Sequence, residues 1–307
     1  MALAPGPPEP LTSSFAPRPL PDLALTLGVL RRGGAADPTM AFEPAGVWRA
    51  SRTPAGPATV HLRARSGRIE VEAWGPGAGW ALEAAPALVG ALDDRSGFRP
   101  AHPLVAELAR RHVGLRMTRP GGVFESLLPT ILEQKVVGLE ARRAYVRMVR
   151  ALGEPAPGPR SLMLPPAPER LAATPYWVHH PFGVERRRAV TLARAAARAP
   201  WLEASAAAPA EVYRRLLSLP GVGAWSAAMV GLTALGDADA VPTGDYHLPH
   251  VVAWALGGRS RGDDAQMLDL LEPYRGHRGR VLRLLLAAGV APPRRAPRLR
   301  LRAIAGI

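Results

Sequence analysis

The sequence has no cysteine. That excludes disulfides, thiolate-held zinc, cysteine-held iron–sulfur clusters and a sacrificial alkyl-accepting thiol. Lysine is almost as scarce: Lys135 is the only one, and every other of the 39 basic residues is arginine. A mechanism that passes through a lysine Schiff base must use Lys135 or be absent. The proline-rich start lacks the basic segment and continuous apolar run of a signal peptide, and no apolar stretch approaches membrane-spanning length. The expectation is a soluble, cytoplasmic protein, taken as a monomer.

What is present is a chain of 307 residues, long enough for two or three domains, with a net charge of +14. An excess of cations favours a polyanionic partner, most often nucleic acid. A GC-rich coding sequence would also enrich arginine, so charge alone decides nothing.

The hydropathy pattern changes along the chain. Residues 1 to 20 are rich in proline and read as a disordered leader. LALTLGVL at 23 to 30 and AGVWRASR near 45 to 52 read as strands, and VHLRARSGRIEVEAW reads as a hairpin. In it Val60, Leu62 and Ala64 alternate with polar residues, and Ile69, Val71 and Ala73 resume after Ser66-Gly67. APALVGAL at 85 to 92 reads as a helix that covers this sheet. From about residue 100 nine segments carry apolar residues at three-to-four spacing, with the connector 153 to 168 as the longest break, read as a division between two helical lobes. The expected fold class is therefore α+β, with an antiparallel sheet plus helix at 21–98, a mainly α-helical, two-lobed region at 99–290 and a basic tail at 291–307.

Two stretches carry the chemistry. In PAEVYRRLLSLPGVGAWSAAMVGLTALG, residues 209 to 236, two helices flank the turn LPGVG. Gly221 and Gly223 permit backbone angles barred to other residues and let a ligand approach the main chain. From Ala224 the next helix opens with unpaired amides and the positive end of its dipole, a place that suits a phosphodiester. Such a contact reads DNA backbone and not sequence. A compact helix–helix turn with no ligand has the same signature. The second stretch, VPTGDYHLPH, returns one carboxylate, Asp245, a single helix and loop later. Asp245 can serve as a helix N-cap, as a catalytic anion, or as both.

LPGVGAWSA followed by VPTGDYHLPH resembles the helix-hairpin-helix DNA glycosylases that carry a Gly/Pro-rich loop and an aspartate, closest to the 3-methyladenine DNA glycosylase II branch. The resemblance extends upstream to FESLLPTILEQKVVGLEARRAYVRMVRALG and downstream to EPYRGHRGRVLRLLL, over roughly residues 20 to 290, and that branch also carries a sheet before its helical lobes. It implies that double-stranded DNA with damaged bases is the partner and that Asp245 is the catalytic carboxylate for base excision. It places Trp225 where strand-cutting relatives carry a lysine, so hydrolysis would stop at the abasic site. Trp225, Tyr274 and Tyr246 become candidates to hold the base; an alkylated purine with positive charge stacks well on an electron-rich ring. Gln134, Lys135 and Val136 resemble the loop that fills the gap left by a flipped base: either Gln134 or Val136 fills it, or Lys135 contacts phosphate. The resemblance also implies that carbonyls of Leu217, Leu219 and Val222 hold a monovalent cation; no other cofactor is expected. Tyr176, Trp177, His179 and His180 are weaker pocket candidates, and the spacing of His247 and His250 is poor evidence for metal. Glycosylases for deaminated or oxidised bases, and a non-catalytic DNA-binding hairpin protein, are the alternatives.

Overall fold

A computed structural model of the chain describes residues 9–293. The first element is strand β1 (Leu11–Phe15), followed by helix α1 (Leu23–Leu27) and strands β2 (Met40–Glu43), β3 (Gly46–Thr53), β4 (Gly56–Arg65) and β5 (Arg68–Trp74). The five strands make one antiparallel sheet in the order β1-β5-β4-β3-β2. The β4–β5 hairpin turns through Ser66 and Gly67 with φ of 50° and 74°. Two consecutive positive φ angles match the twist of the flanking strands, which is why this dipeptide makes a tight hairpin.

Two expectations for this region are corrected. The leader at 1 to 20 is not unstructured throughout: Leu11–Phe15 pairs with Ile69–Ala73 of β5, and residues 1 to 8 lie outside the described residues. LALTL is a helix and not a strand. Asp22 Oδ1 accepts Leu25 N at 2.9 Å, capping the first turn, and the buried Leu23, Thr26 and Leu27 fall at helical spacing. Helix α2 (Ala78–Leu88) covers the sheet, as expected, but starts earlier. Its buried Ala78, Ala81 and Ala85 are small enough to sit close to the core of Leu27, Leu62, Ile69 and Val71.

The helical region comprises α3 (Pro103–Arg111), α4 (Val123–Glu133), α5 (Gly138–Leu152), α6 (Pro168–Ala173), α7 (Arg186–Ala197), α8 (Ala199–Glu203), α9 (Pro209–Leu217), α10 (Ala224–Val230), α11 (Leu248–Gly257), α12 (Asp264–Leu271) and α13 (Arg278–Ala287). All nine expected helical segments are helices; the fold is α+β. Two cores organise them. The larger gathers α4, α5 and α7 to α10 around Leu127, Ile131, Met148 and Leu216. The other gathers α3 with α11, α12 and α13 around Val105, Val252, Leu271 and Val281. The connector 153 to 168 does not separate these lobes, because the larger core runs across it from Leu152 to Leu171. Within the connector β6 (Glu154–Pro155) pairs with β7 (Met163–Leu164), and Leu162 and Leu164 pack on Ala50 of the sheet. The lobes part between α10 and α11, and the returning loop between them carries Asp245. The C-terminal tail from residue 294 onward lies outside the described residues.

Candidate nucleic-acid interface

Helix α9, the turn at 218–223 and helix α10 form the hairpin. Gly221 has φ +92°, and a Cβ there would lie 2.4 Å from Thr191 Oγ1, so both backbone angle and packing demand glycine. Gly223 is different. Its backbone is extended, it caps α10, and a Cβ would meet nothing within 4 Å. Gly221, Gly223 and Ala224 are all exposed. Among the described residues, the amides of Gly223 and Ala224 donate to no protein acceptor outside the helix. The exposed start of α10 thus presents unpaired donors to solvent, the arrangement that receives an anion.

The turn between α4 and α5 leans on the hairpin. Gln134 Nε2 donates at 2.9 Å to Gly221 O and at 2.9 Å to Ser226 Oγ. Lys135 follows with φ +55°, exposed, while Val136 is half-buried. The side chain of Gln134 is engaged in bracing the two turns, so Lys135 is the residue left projecting.

Asp245 sits in a loop held at both ends. Gly244 has φ +84° and its amide donates to Asp264 Oδ2 at 2.7 Å. Asp245 Oδ1 accepts from the amides of His247 at 2.7 Å and Leu248 at 2.9 Å, at the start of α11. Its other oxygen, Oδ2, accepts from Trp225 Nε1 at 2.9 Å. The carboxylate therefore ties the first turn of α10 to the first turn of α11, beside the unpaired hairpin amides. Sequence spacing brought Asp245 and the hairpin into one hypothesis, but it did not reveal Asp264, Ser226 or the bracing role of Gln134. Asp263 and Gln266 form a capping box at the start of α12, and that sequence signal could have pointed to Asp264 as a fixed neighbour.

The other candidates separate. Trp225 is half-buried and joined to Asp245. Tyr246 is 72% exposed, edge-on to His247 and His250. Tyr274 is 4% exposed; its hydroxyl accepts from His102 N at 3.0 Å and its ring packs near Phe98. Burial raises its pKa above the ordinary tyrosine value. The ring of this base-stacking candidate is thus packed in the core around α3 and α11 to α13. Tyr176 and Trp177 are exposed, with Arg186 over the Tyr176 ring. His179 is buried and neither ring nitrogen has a partner; burial lowers its pKa. His250 Nδ1 accepts from Gly262 N, and no group of three or more His, Asp or Glu among the described residues could hold a metal ion. Leu217, Leu219 and Val222 surround the hairpin turn, and Leu219 O also accepts Val222 N at 3.0 Å.

Comparison with known structures bears on this geometry. The chain is similar to a 3-methyladenine DNA glycosylase from Archaeoglobus fulgidus, with 18% identity over 89% of this chain and 97% of that one, at a TM-score of 0.75. Its fold is that of the helix-hairpin-helix DNA glycosylases. It is also similar to MBOgg1 in complex with a low-affinity DNA ligand, with 15% identity over 93% and 96% of the two chains and a TM-score of 0.72. A third likeness is to a Clostridium acetobutylicum 8-oxoguanine glycosylase/lyase bound to double-stranded DNA with cytosine opposite 8-oxoG, with 12% identity over 92% and 98% and a TM-score of 0.67. No family model and no curated protein matches the sequence. No helix among the described residues is long and apolar enough to cross a membrane.

Proposed function

We propose that the protein is a monofunctional DNA glycosylase that extrudes an alkylated purine of the 3-methyladenine type from double-stranded DNA and hydrolyses its N-glycosidic bond. The observation that carries the reading is the Asp245 carboxylate, held by Trp225 Nε1 and two main-chain amides next to the exposed hairpin amides. The unpaired donors at Gly223 and Ala224 grip a phosphate of the damaged strand and so fix the register of the sugar. As the bond from the sugar C1′ to the base nitrogen breaks, its electron pair leaves with the base and the sugar becomes cationic. A fixed anion stabilises that charge. Water then adds to C1′, and its proton passes to Asp245. A cationic alkylpurine leaves with little acid assistance, so the reaction needs no dedicated proton donor to the base.

Trp225 supports the absence of strand cleavage. It occupies the place where the resembled lyases carry lysine, and Lys135, the sole lysine, belongs to the α4–α5 turn. Lys135 is assigned to the gap or the adjacent phosphate, because Gln134 is committed to Gly221 and Ser226. Trp225 and Tyr246 remain as aromatic contacts for the base. The carbonyls of Leu217, Leu219 and Val222 are neutral oxygens around one turn, a donor set that fits a monovalent cation between hairpin and phosphate.

The likeness to 8-oxoguanine glycosylases favours one second reading, excision of an oxidised base. Both are tested by incubating the protein with methylated DNA and with duplexes containing 8-oxoguanine or hypoxanthine. Release of 3-methyladenine, with strands cut only after alkali, is the expected result. Preferential release of 8-oxoguanine would establish the second reading, and DNA binding without any base release would leave a non-catalytic hairpin protein.

A further inference from the structure

The segment after α2 and helix α3 enclose a second concave feature in which arginines outnumber carboxylates. A groove of about 700 Å³ is lined by Arg18, Arg95, Arg110 and Arg116, with Phe98 and Val113 on its apolar side. Its only lining carboxylate, Asp93, is already engaged: each oxygen accepts from Arg280 at 2.7 Å, and Oδ2 also accepts from Met117 N. Among the described residues, none of the four groove arginines forms a salt bridge. Arg116 is only 5% exposed, and its guanidinium bonds the carbonyl of Pro19 at 3.2 Å. Arg95, half-buried, bonds the carbonyl of Val113 at 3.0 Å.

Removing a cation from water without a directly paired anion is costly. Burial holds both Arg95 and Arg116 below the ordinary arginine range; the charge of Arg280 adds to the effect at both and that of Arg116 at Arg95, while Asp93 opposes it at both without cancelling it. An incoming anion relieves that cost, and the low local dielectric strengthens its attraction. Two neighbouring guanidiniums match a group that carries two charges and several acceptor oxygens, which describes a phosphate monoester better than one carboxylate. The apolar wall suits an organic substituent, and the volume falls in the range of sites for small molecules.

We infer that this groove binds a phosphate monoester on an organic group of nucleotide size, supplied as a free nucleotide or as the 5′ end of a DNA strand. The site shares no residue with the hairpin and Asp245, so it stands independently of the proposed glycosylase activity.

Calorimetric titration of the full-length protein with deoxyadenosine 5′-monophosphate tests it, with deoxyadenosine and inorganic phosphate as controls. Saturable binding with Kd below about 1 mM is expected for the nucleotide, and none for deoxyadenosine. Arg95→Gln and Arg110→Gln weaken binding about tenfold or more. Ala109→Phe fills the groove from its apolar side and blocks binding with every arginine in place; melting temperatures confirm that each variant is folded. A trithymidylate with a 5′ phosphate that binds more tightly than the nucleotide identifies a DNA end as the source, and the reverse order identifies a free nucleotide. The inference is overturned if the nucleotide fails to bind saturably, if deoxyadenosine binds as well, if the variants bind like the parent, or if only an acidic peptide such as hexaglutamate occupies the groove.

Discussion

Two half-buried carboxylates in this protein, Glu203 and Asp245, each accept two amides at a helix N-terminus but have different neighbours. Glu203 accepts the amides of Val123 at 3.1 Å and Phe124 at 2.7 Å at the start of α4. Asp245 accepts the amides of His247 and Leu248 at the start of α11. Val123 and Phe124 are 0% and 4% exposed, whereas Tyr246, beside Asp245, is 72% exposed. Asp245 also has a third donor, the Trp225 indole, which ties it to the hairpin. Desolvation holds the Glu203 carboxyl above its ordinary range, against the opposing pull of the two amides. Capping geometry alone therefore does not assign a role to either carboxylate. What differs is the elements each one joins: Glu203 reaches only the start of α4, whereas Asp245 links α11 to the hairpin.

The comparison breaks most directly at Asp245. Asp245→Asn keeps a hydrogen-bonding side chain but removes the anion, and base excision is expected to fall by about 10²- to 10³-fold, the scale of losing one electrostatic contact to a transition state. Base release and DNA binding measured together check this: binding is retained, and near-parent excision would return Asp245 to the role of a cap alone. At Glu203 the expectation is inverted. Glu203→Ala leaves two buried amides unpaired and costs about 1–3 kcal/mol of stability, measured by urea unfolding, while excision per folded molecule is unchanged.

A smaller effect sharpens the role of Trp225. Trp225→Phe keeps an aromatic face and deletes the N–H, and the loss of one hydrogen bond to a charged group, about 1.5–3 kcal/mol, lowers kcat by roughly 10- to 100-fold. An increase in KM with unchanged kcat would show instead that the ring contributes only binding. The smallest effect lies in pH dependence. The folded pKa of Glu203 is raised above the ordinary 4.5, so the folded state holds that proton more tightly. Its contribution to stability is fully present below pH 4.5 and is lost as pH rises through the folded value. Glu203→Gln, which cannot ionise, flattens that part of the stability–pH curve, as denaturant midpoints across the window will show.

The readings that succeeded from sequence rest on local physics. The hairpin at Ser66-Gly67 and the helical periods after residue 100 concern residues close in the chain, where turn chemistry and side-chain spacing act directly. Gly221 was legible because a positive φ leaves a glycine in the sequence. Failures came where a distant contact decides. LTSSF became a strand because the β5 edge was available to pair with it. LALTL became a helix because Asp22 captures Leu25 N and Leu23 and Leu27 meet the sheet, a cap that sequence could have signalled. Tyr274 lies inside a core built by α3 from one side of the chain and α11 to α13 from the other, and no local pattern announces that enclosure.

By itself the sequence determined the chemical inventory: no thiol, one lysine, a two-glycine turn between helices and an aspartate one helix later, since these depend only on which residues are present and how far apart they lie. Tertiary structure decided which of them meet. It placed Trp225 Nε1 on Asp245, Gln134 on Gly221, and Asp264 on Gly244, because each of those hydrogen bonds spans 20 residues or more and exists only once the two helical cores have packed.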